Sequence, residues 1–154
     1  MPSQHDKIDR DRVVLILNTI LELELAGVVR YVHYSLMVFG HSRIPIIGWM
    51  RNQAIEGLNH ASLAGEYVTS LGGHPSLKIG QLTESHKHEI GQILHEALEH
   101  GRATLRTYYE LLDLVRDKSV WLEEYAREQI KLEGQHIGEG EKMMRKPGEL
   151  TPAA

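Results

Sequence analysis

The chain has 154 residues, 42% hydrophobic and 25% charged, a globular balance that supports one domain with its own core and excludes a disordered or membrane-spanning chain. A net charge of −4 without any Lys/Arg-rich run lacks the phosphate-neutralising footprint of a nucleic-acid binder, so no nucleic-acid partner is expected. Cysteine is absent while histidine occurs 10 times, which excludes disulfides, iron–sulfur clusters and thiolate chemistry from the protein itself and leaves carboxylate and imidazole as the donors for any metal.

The opening residues contain no apolar core of a signal peptide, and no uncharged run approaches the roughly 18 residues of a membrane span. A cytoplasmic chain with no membrane contact is therefore expected. Turn-rich pieces at Gly40–Pro45, Gly72–Pro75 and Arg116–Ser119 divide the sequence into four long segments, which predict helices near 9–39, 46–71, 84–115 and 119–145 and almost no strand. The first helix places Val13, Leu17, Ile20, Glu24, Gly27, Tyr31, Tyr34 and Val38 at alternating steps of four and three, the inward seam of a bundle helix with a carboxylate inside it. A second apolar row, Leu21, Leu25, Val28, Val32, Leu36 and Phe39, exceeds what one core needs, and a partner subunit is expected to cover it.

The second helix carries a seam of Ile46, Trp49, Gln53, Glu56 or Gly57, His60, Ala64, Tyr67 and Leu71, with Glu56 and His60 one turn apart. The connection from Gly72 to about Glu84 is the longest. Roughly 12 extended residues reach about 40 Å, and a helix of about 26 residues is about 39 Å long. The loop can therefore run the length of the bundle as a crossover, whereas the other connections suit antiparallel neighbours. In the third helix the stripe Ile90, Leu94, Ala97, Leu98, Leu105, Tyr108 and Leu112 centres on Gly101, with His100 flanking it and Glu99 pointing nearly opposite. The fourth helix has Leu122, Ala126, Gln129, Glu133, His136 and Gly140 on one seam, and Pro147-Gly148 closes it before a polar tail over 147–154.

Polar residues at a common level of these seams are the place to seek a site. Glu24, His60 and Glu133 all fall mid-seam on separate helices, and Glu133-Gly134-Gln135-His136 supplies a Glu-x-x-His pair. An ionised carboxylate on an apolar seam costs several kcal/mol unless paired, and a bound divalent cation offsets that cost. Fe, Mn or Zn suits such donors, and Ca, which prefers oxygen alone, does not. Glu22, Glu139 and Glu141 read as solvated charges, and His86-Lys87-His88-Glu89 reads as the exposed start of the third helix. His33, His41 and His74 fall in second-face or loop positions and receive no role. Tyr31 reads as core packing, with a phenol near enough to a metal to donate a hydrogen bond or an electron.

The run Leu17 to Leu25 around Glu24, then Tyr31, His60-Ala61, Gly73-His74-Pro75 and Glu133-Gly134-Gln135-His136 resembles the bacterioferritins and ferritin-like di-iron proteins over nearly the whole chain. The resemblance implies an all-α ferritin-like four-helix bundle over 1–146, with a long crossover between helices two and three. It makes Glu24 the first-helix iron ligand, His60 the second-helix imidazole and Glu133 with His136 the fourth-helix pair. Two positions depart from the pattern. Gly57 stands where the second-helix glutamate is expected, so Glu56 replaces it only if the helix locally over- or underwinds, as at a π-bulge. Gly101 stands where the third-helix glutamate is expected. Leu58 replaces the family's haem-binding methionine, so no haem is expected. A mononuclear or a loosely dinuclear metal site is compatible with these losses, and the two glycines would leave room for oxygen, peroxide or a small substrate.

The expected function is iron binding with oxidation of Fe(II) by oxygen or peroxide, and storage or detoxification of iron in a homo-oligomer, at least a dimer through the first two helices. A ferritin-like metal oxidase or peroxidase that stores nothing, and a metal-free helical interaction module, are the alternatives.

Overall fold

The computed structural model describes residues 7–151, which contain four helices: α1 (Arg10–Met37), α2 (Arg43–Ser70), α3 (Ile90–Val115) and α4 (Val120–Met144). There is no strand among the described residues. The first six residues and the last three of the polar tail lie outside them. The tail from Pro147 to Thr151 is non-helical, with one turn closed by Glu149 N–H donating to the Lys146 carbonyl. Among the described residues no helix is long and apolar enough to cross a membrane.

Local chemistry sets the helix ends. The Asp9 carboxylate accepts from Arg12 N–H at 3.3 Å and starts α1, while the Ser119 hydroxyl accepts from Leu122 N–H at 3.3 Å and starts α4, each satisfying a donor that the first turn leaves free. Pro45 sits inside the first turn of α2, where its missing N–H costs nothing, so that helix begins at Arg43 and not at 46. The third helix begins at Ile90, not at 84. Residues 84–89 belong to the connection, because their side chains bond to α1 and to Glu96 in place of forming a helical turn.

That connection is a crossover strap along α1. The side chain of Asn18 donates to the His74 carbonyl and accepts from Ser76 N–H. Further on, Gly80 N–H donates to the Glu22 carbonyl at 2.9 Å. Arg30 then donates to the carbonyls of Gln81 and Thr83 at 3.1 and 2.9 Å, and His33 meets Glu84 at 2.7 Å. The ordered progression from Asn18 to His33 carries the strap parallel to α1 over about 22 Å. Since α2 runs antiparallel to α1, α3 starts at the far end of the bundle and packs on α1, with α4 returning along α3.

The buried face of α2 is Ile47, Met50, Ala54, Gly57, Ala61, Ala64 and Val68, which keeps Gly57 and Ala64 of the expected seam but takes the next residue at its other positions within the helix. Its small residues turn toward α1 and bring the two backbones close: a β-carbon at Gly57 would lie 3.4 Å from the Glu24 carbonyl oxygen. The expected seam residues Trp49, Gln53, His60 and Tyr67 are half-buried instead. They face the wider gap to α4, which rings fill: Trp49 stacks on His136 with centroids 5.2 Å apart, and Tyr67 on Tyr125 at 4.1 Å. Two apolar clusters close the bundle. One gathers around Leu17, Ile20, Val68, Leu111 and Leu122, the other around Tyr34, Val38, Met50 and Ile93. The polar level lies between them.

Candidate metal centre

Between the two clusters a cavity of about 30 Å³ is lined by Glu24, Tyr31, His60, Glu133 and His136 together with Glu56, Gly57, His100 and Gly101. That volume holds a water or an ion and little more. Each wall follows from helix phase. Glu24 and Tyr31 are one heptad apart on the buried face of α1. Glu133 and His136 are separated by three residues on α4 and so share a face, and His60 projects from α2 toward the α2–α4 gap.

Glu24 is 6% and Glu133 9% exposed, so two carboxyl groups share one interior. Glu24 Oε1 accepts from the buried Tyr108 hydroxyl at 3.0 Å and stands 3.7 Å from His60 Nδ1. The Glu24 carboxylate draws the His60 pKa upward against burial. Burial, followed by the charges of Glu24 and Glu56, pushes the Glu133 carboxyl up to about 8. Burial, followed by His60 and His100, pulls His136 down to about 4. Without a cation the site thus favours a protonated Glu133 and a neutral His136.

His136 also carries the observation that bears most directly on a ligand. Its Nε2 lies 2.6 Å from the Tyr31 hydroxyl, while its buried Nδ1 has no hydrogen-bond partner. With the phenol accepting from Nε2–H, Nδ1 keeps a free lone pair, the form in which an imidazole binds a metal. Burial keeps Tyr31 protonated, its pKa raised well above the ordinary value. Two carboxyl and two imidazole groups with an orphaned nitrogen fit a borderline divalent cation by donor chemistry. No three of these interior donors lie within 4.8 Å of one another; among the described residues only His33, Glu84 and His88 do. Binding in the interior therefore requires the side chains to draw inward.

The expected site residues separate into two groups. Glu24, His60, Glu133 and His136 line the cavity from within. Glu56 lines it too, but is exposed on α2, at the mouth beside the half-buried Gln53. The helix runs through this region without a π-bulge, so no local rewinding turns Glu56 inward. The expected room at the two glycines is occupied. A β-carbon at Gly57 would lie 3.2 Å from Val28 Cγ2 and 3.7 Å from Glu24 Oε2, and one at Gly101 would lie 2.9 Å from Glu133 Oε1. The Glu133 carboxylate fills the space beside Gly101, and Val28 with the Glu24 backbone closes that beside Gly57. His100 does reach inward, but its Nε2–H donates to the Leu23 carbonyl at 2.9 Å and burial lowers its pKa. Tyr108, placed in the sequence only as an apolar stripe member, is a direct partner of Glu24; its stripe position gave no hint of a hydroxyl aimed at a carboxylate.

A four-helix bundle with a full-length crossover and a carboxylate–imidazole interior defines a class, and the comparisons agree with it. The Ferritin-like domain model matches residues 14–146, so the chain belongs to the ferritin-like family. The sequence has no match among curated proteins. Among solved structures, a ferritin-like diiron-carboxylate protein of Bacillus anthracis superposes with a TM-score of 0.83 at 18% identity, covering 94% of this chain and 100% of that one. The dodecameric thioferritin of Bacteroides fragilis gives 0.81 at 21% identity, with 90% and 88% covered. The bacterioferritin of Desulfovibrio desulfuricans gives 0.77 at 21%, with 94% and 83% covered. At these identities the likeness concerns the fold.

Proposed function

We propose that the protein takes up Fe(II) in the bundle interior, promotes its oxidation by dioxygen or peroxide, and stores or detoxifies the ferric product within a homo-oligomer. The single observation that carries this reading is the pairing of Glu133, a carboxyl whose charge is disfavoured by burial, with the orphaned Nδ1 of His136 in one cavity. A divalent ion compensates the first and satisfies the second. The matched structures include a diiron-carboxylate protein and a bacterioferritin with a diiron site, which supports iron over Mn or Zn.

In this mechanism Fe(II) is substrate. Glu24 and Glu133 supply negative charge, His60 and His136 supply nitrogen, and Tyr108 holds Glu24 in place. Glu56, exposed at the mouth, attracts the cation toward the gap between α2 and α4. Two Fe(II) give one electron each, and with two protons they reduce dioxygen to hydrogen peroxide or hydrogen peroxide to two waters, while the two apolar clusters exclude bulk water on either side. Only two carboxylates are buried in the cavity, and Gly101 supplies none. A single firm position with a weaker second one at Glu56 follows. That observation also favours a second reading, a metal oxidase that stores nothing.

The exposed apolar residues Val32 and Leu36 of α1, Phe39 just past its end, and Ile55 and Leu58 of α2 are the surface through which copies would pair. A dodecameric assembly in one matched protein supports a larger homo-oligomer. Anaerobic titration with Fe(II) followed by oxygen tests the proposal. Stoichiometric ferric absorbance that is lost in Glu133→Gln supports it, and an unchanged response in that variant overturns it. Iron content far above the number of ligand sites separates storage from oxidation alone.

A further inference from the structure

Outside the interior centre, three imidazoles gather on one carboxylate where the strap meets α1. Glu84 Oε2 lies 2.7 Å from His33 Nε2 and 3.9 Å from His88 Nε2, and Glu84 Oε1 lies 2.8 Å from His86 Nδ1. One ligand atom each from His33, Glu84 and His88 falls within 4.8 Å of the others. The sequence alone assigned His33 no role and read the His86–His88 tract as an exposed helix start. The strap makes the difference, because it brings residues 84–88 back against α1 at the level of His33.

The placement of Glu84 is fixed from both sides. Before it, the Thr83 carbonyl accepts from Arg30 at 2.9 Å; after it, the Ser85 hydroxyl donates to Glu96 at 2.9 Å, and Glu96 pairs in turn with Arg30. Three imidazoles converging on one carboxylate is a concentration of nitrogen donors that its own hydrogen bonding does not require. A neutral imidazole keeps one ring lone pair for a metal, and His33 and His88 present theirs beside the same carboxylate oxygen.

We propose that His33, Glu84 and His88, with solvent completing the coordination, form a second metal site, for a divalent transition-metal ion of the zinc class. Majority imidazole with one carboxylate is the donor set of Zn(II) and its neighbours, and excludes Ca(II) and Mg(II), which take oxygen. Tetrahedral coordination at about 2.0–2.1 Å needs donors about 3.4 Å apart. The 2.7 and 3.9 Å separations lie on either side of that spacing, and all three ligand atoms lie within 4.8 Å of one another. His33 and Tyr31 are two residues apart on α1 and point to opposite sides of it, so the site is separate from the interior cavity and open to solvent. An ion there ties the strap and the start of α3 to α1.

Titration of the full-length protein with Zn(II) by calorimetry, and with Co(II) by visible absorption, tests the site in a Glu24→Gln/His136→Ala background that disables the interior. One Zn(II) per chain and intense tetrahedral Co(II) bands are expected. Adding His33→Ala or Glu84→Gln should weaken binding at least about tenfold, while His41→Ala, an exposed histidine outside the cluster, should leave it unchanged. If His33→Ala loses helical content, His88→Ala serves in its place, since its side chain is 36% exposed. No Zn(II) uptake in the interior-disabled chain, or equal affinity in the cluster variants, overturns the proposal. Because the interior is already disabled, either result is independent of the iron reading.

Discussion

Replacing Glu133 by its neutral isostere should stabilise the metal-free protein, by an amount that depends on pH. The Glu133 carboxyl titrates at about 8 when folded, against an ordinary 4.5. A raised carboxyl pKa means that the native state holds a proton the unfolded chain has released, so native stability falls as pH rises from about 4.5 to about 8. At 1.36 kcal/mol per unit, the cost at pH 7 is about 3 kcal/mol, and it levels off near 5 kcal/mol above pH 8 as an upper bound. His136 works in the opposite sense. Its folded pKa of about 4 against 6.5 removes stability as pH falls below 6.5. The clean window is therefore pH 6.5 to 8, where Glu133 alone should remove about 2 kcal/mol. His60, raised by Glu24, adds a decline of the same sign, but it is common to both proteins and cancels in the difference. Urea unfolding of the wild type and Glu133→Gln in chelator, at several pH values across this window, reads the effect directly. The variant should be the more stable, with a gap that widens toward pH 8. A constant gap, or a less stable variant throughout, would refute a charge-disfavoured Glu133. Adding a divalent cation should reverse the wild-type trend, because binding competes with the proton.

Three further outcomes follow from the geometry. Gly101→Ala should keep the fold, since alanine gains up to about 1 kcal/mol of helix propensity over glycine. The new β-carbon, 2.9 Å from Glu133 Oε1, should displace the carboxylate and lower Fe(II) affinity; unchanged affinity in a metal-binding titration would contradict the tight contact. Tyr108→Phe removes the hydroxyl that donates to buried Glu24 and should cost about 1.5–3 kcal/mol in denaturant unfolding. Phe39→Glu, at a residue 69% exposed just past the end of α1, should dissociate the oligomer in light scattering without lowering helical content, and an unshifted mass would show that this face is not the pairing surface.

The four helices and the level of Glu24, His60, Glu133 and His136 were legible because bundle seams repeat every three or four residues and a polar residue interrupts them visibly. The phase of α2 was not. Ile46 with Trp49 and Ile47 with Met50 are equally apolar registers. The choice between them rests on the small residues Ala54 and Ala61, which only the close approach to α1 favours over Gln53 and His60. Of the two readings of that seam position, Gly57 is the buried one and Glu56 stands exposed at the cavity mouth. The start of α3 was misplaced because residues 84–89 find their hydrogen bonds on α1 and Glu96, partners that no local pattern announces. The His33 and Glu84 contact spans 51 residues and depends wholly on the crossover.

A crystal of the protein grown anaerobically with Fe(II), with anomalous scattering recorded on either side of the iron edge, tests the central claim most directly. An iron peak between Glu24, His60, Glu133 and His136, with His136 Nδ1 as a ligand, is the predicted result. Full occupancy elsewhere with an iron-free interior would contradict it.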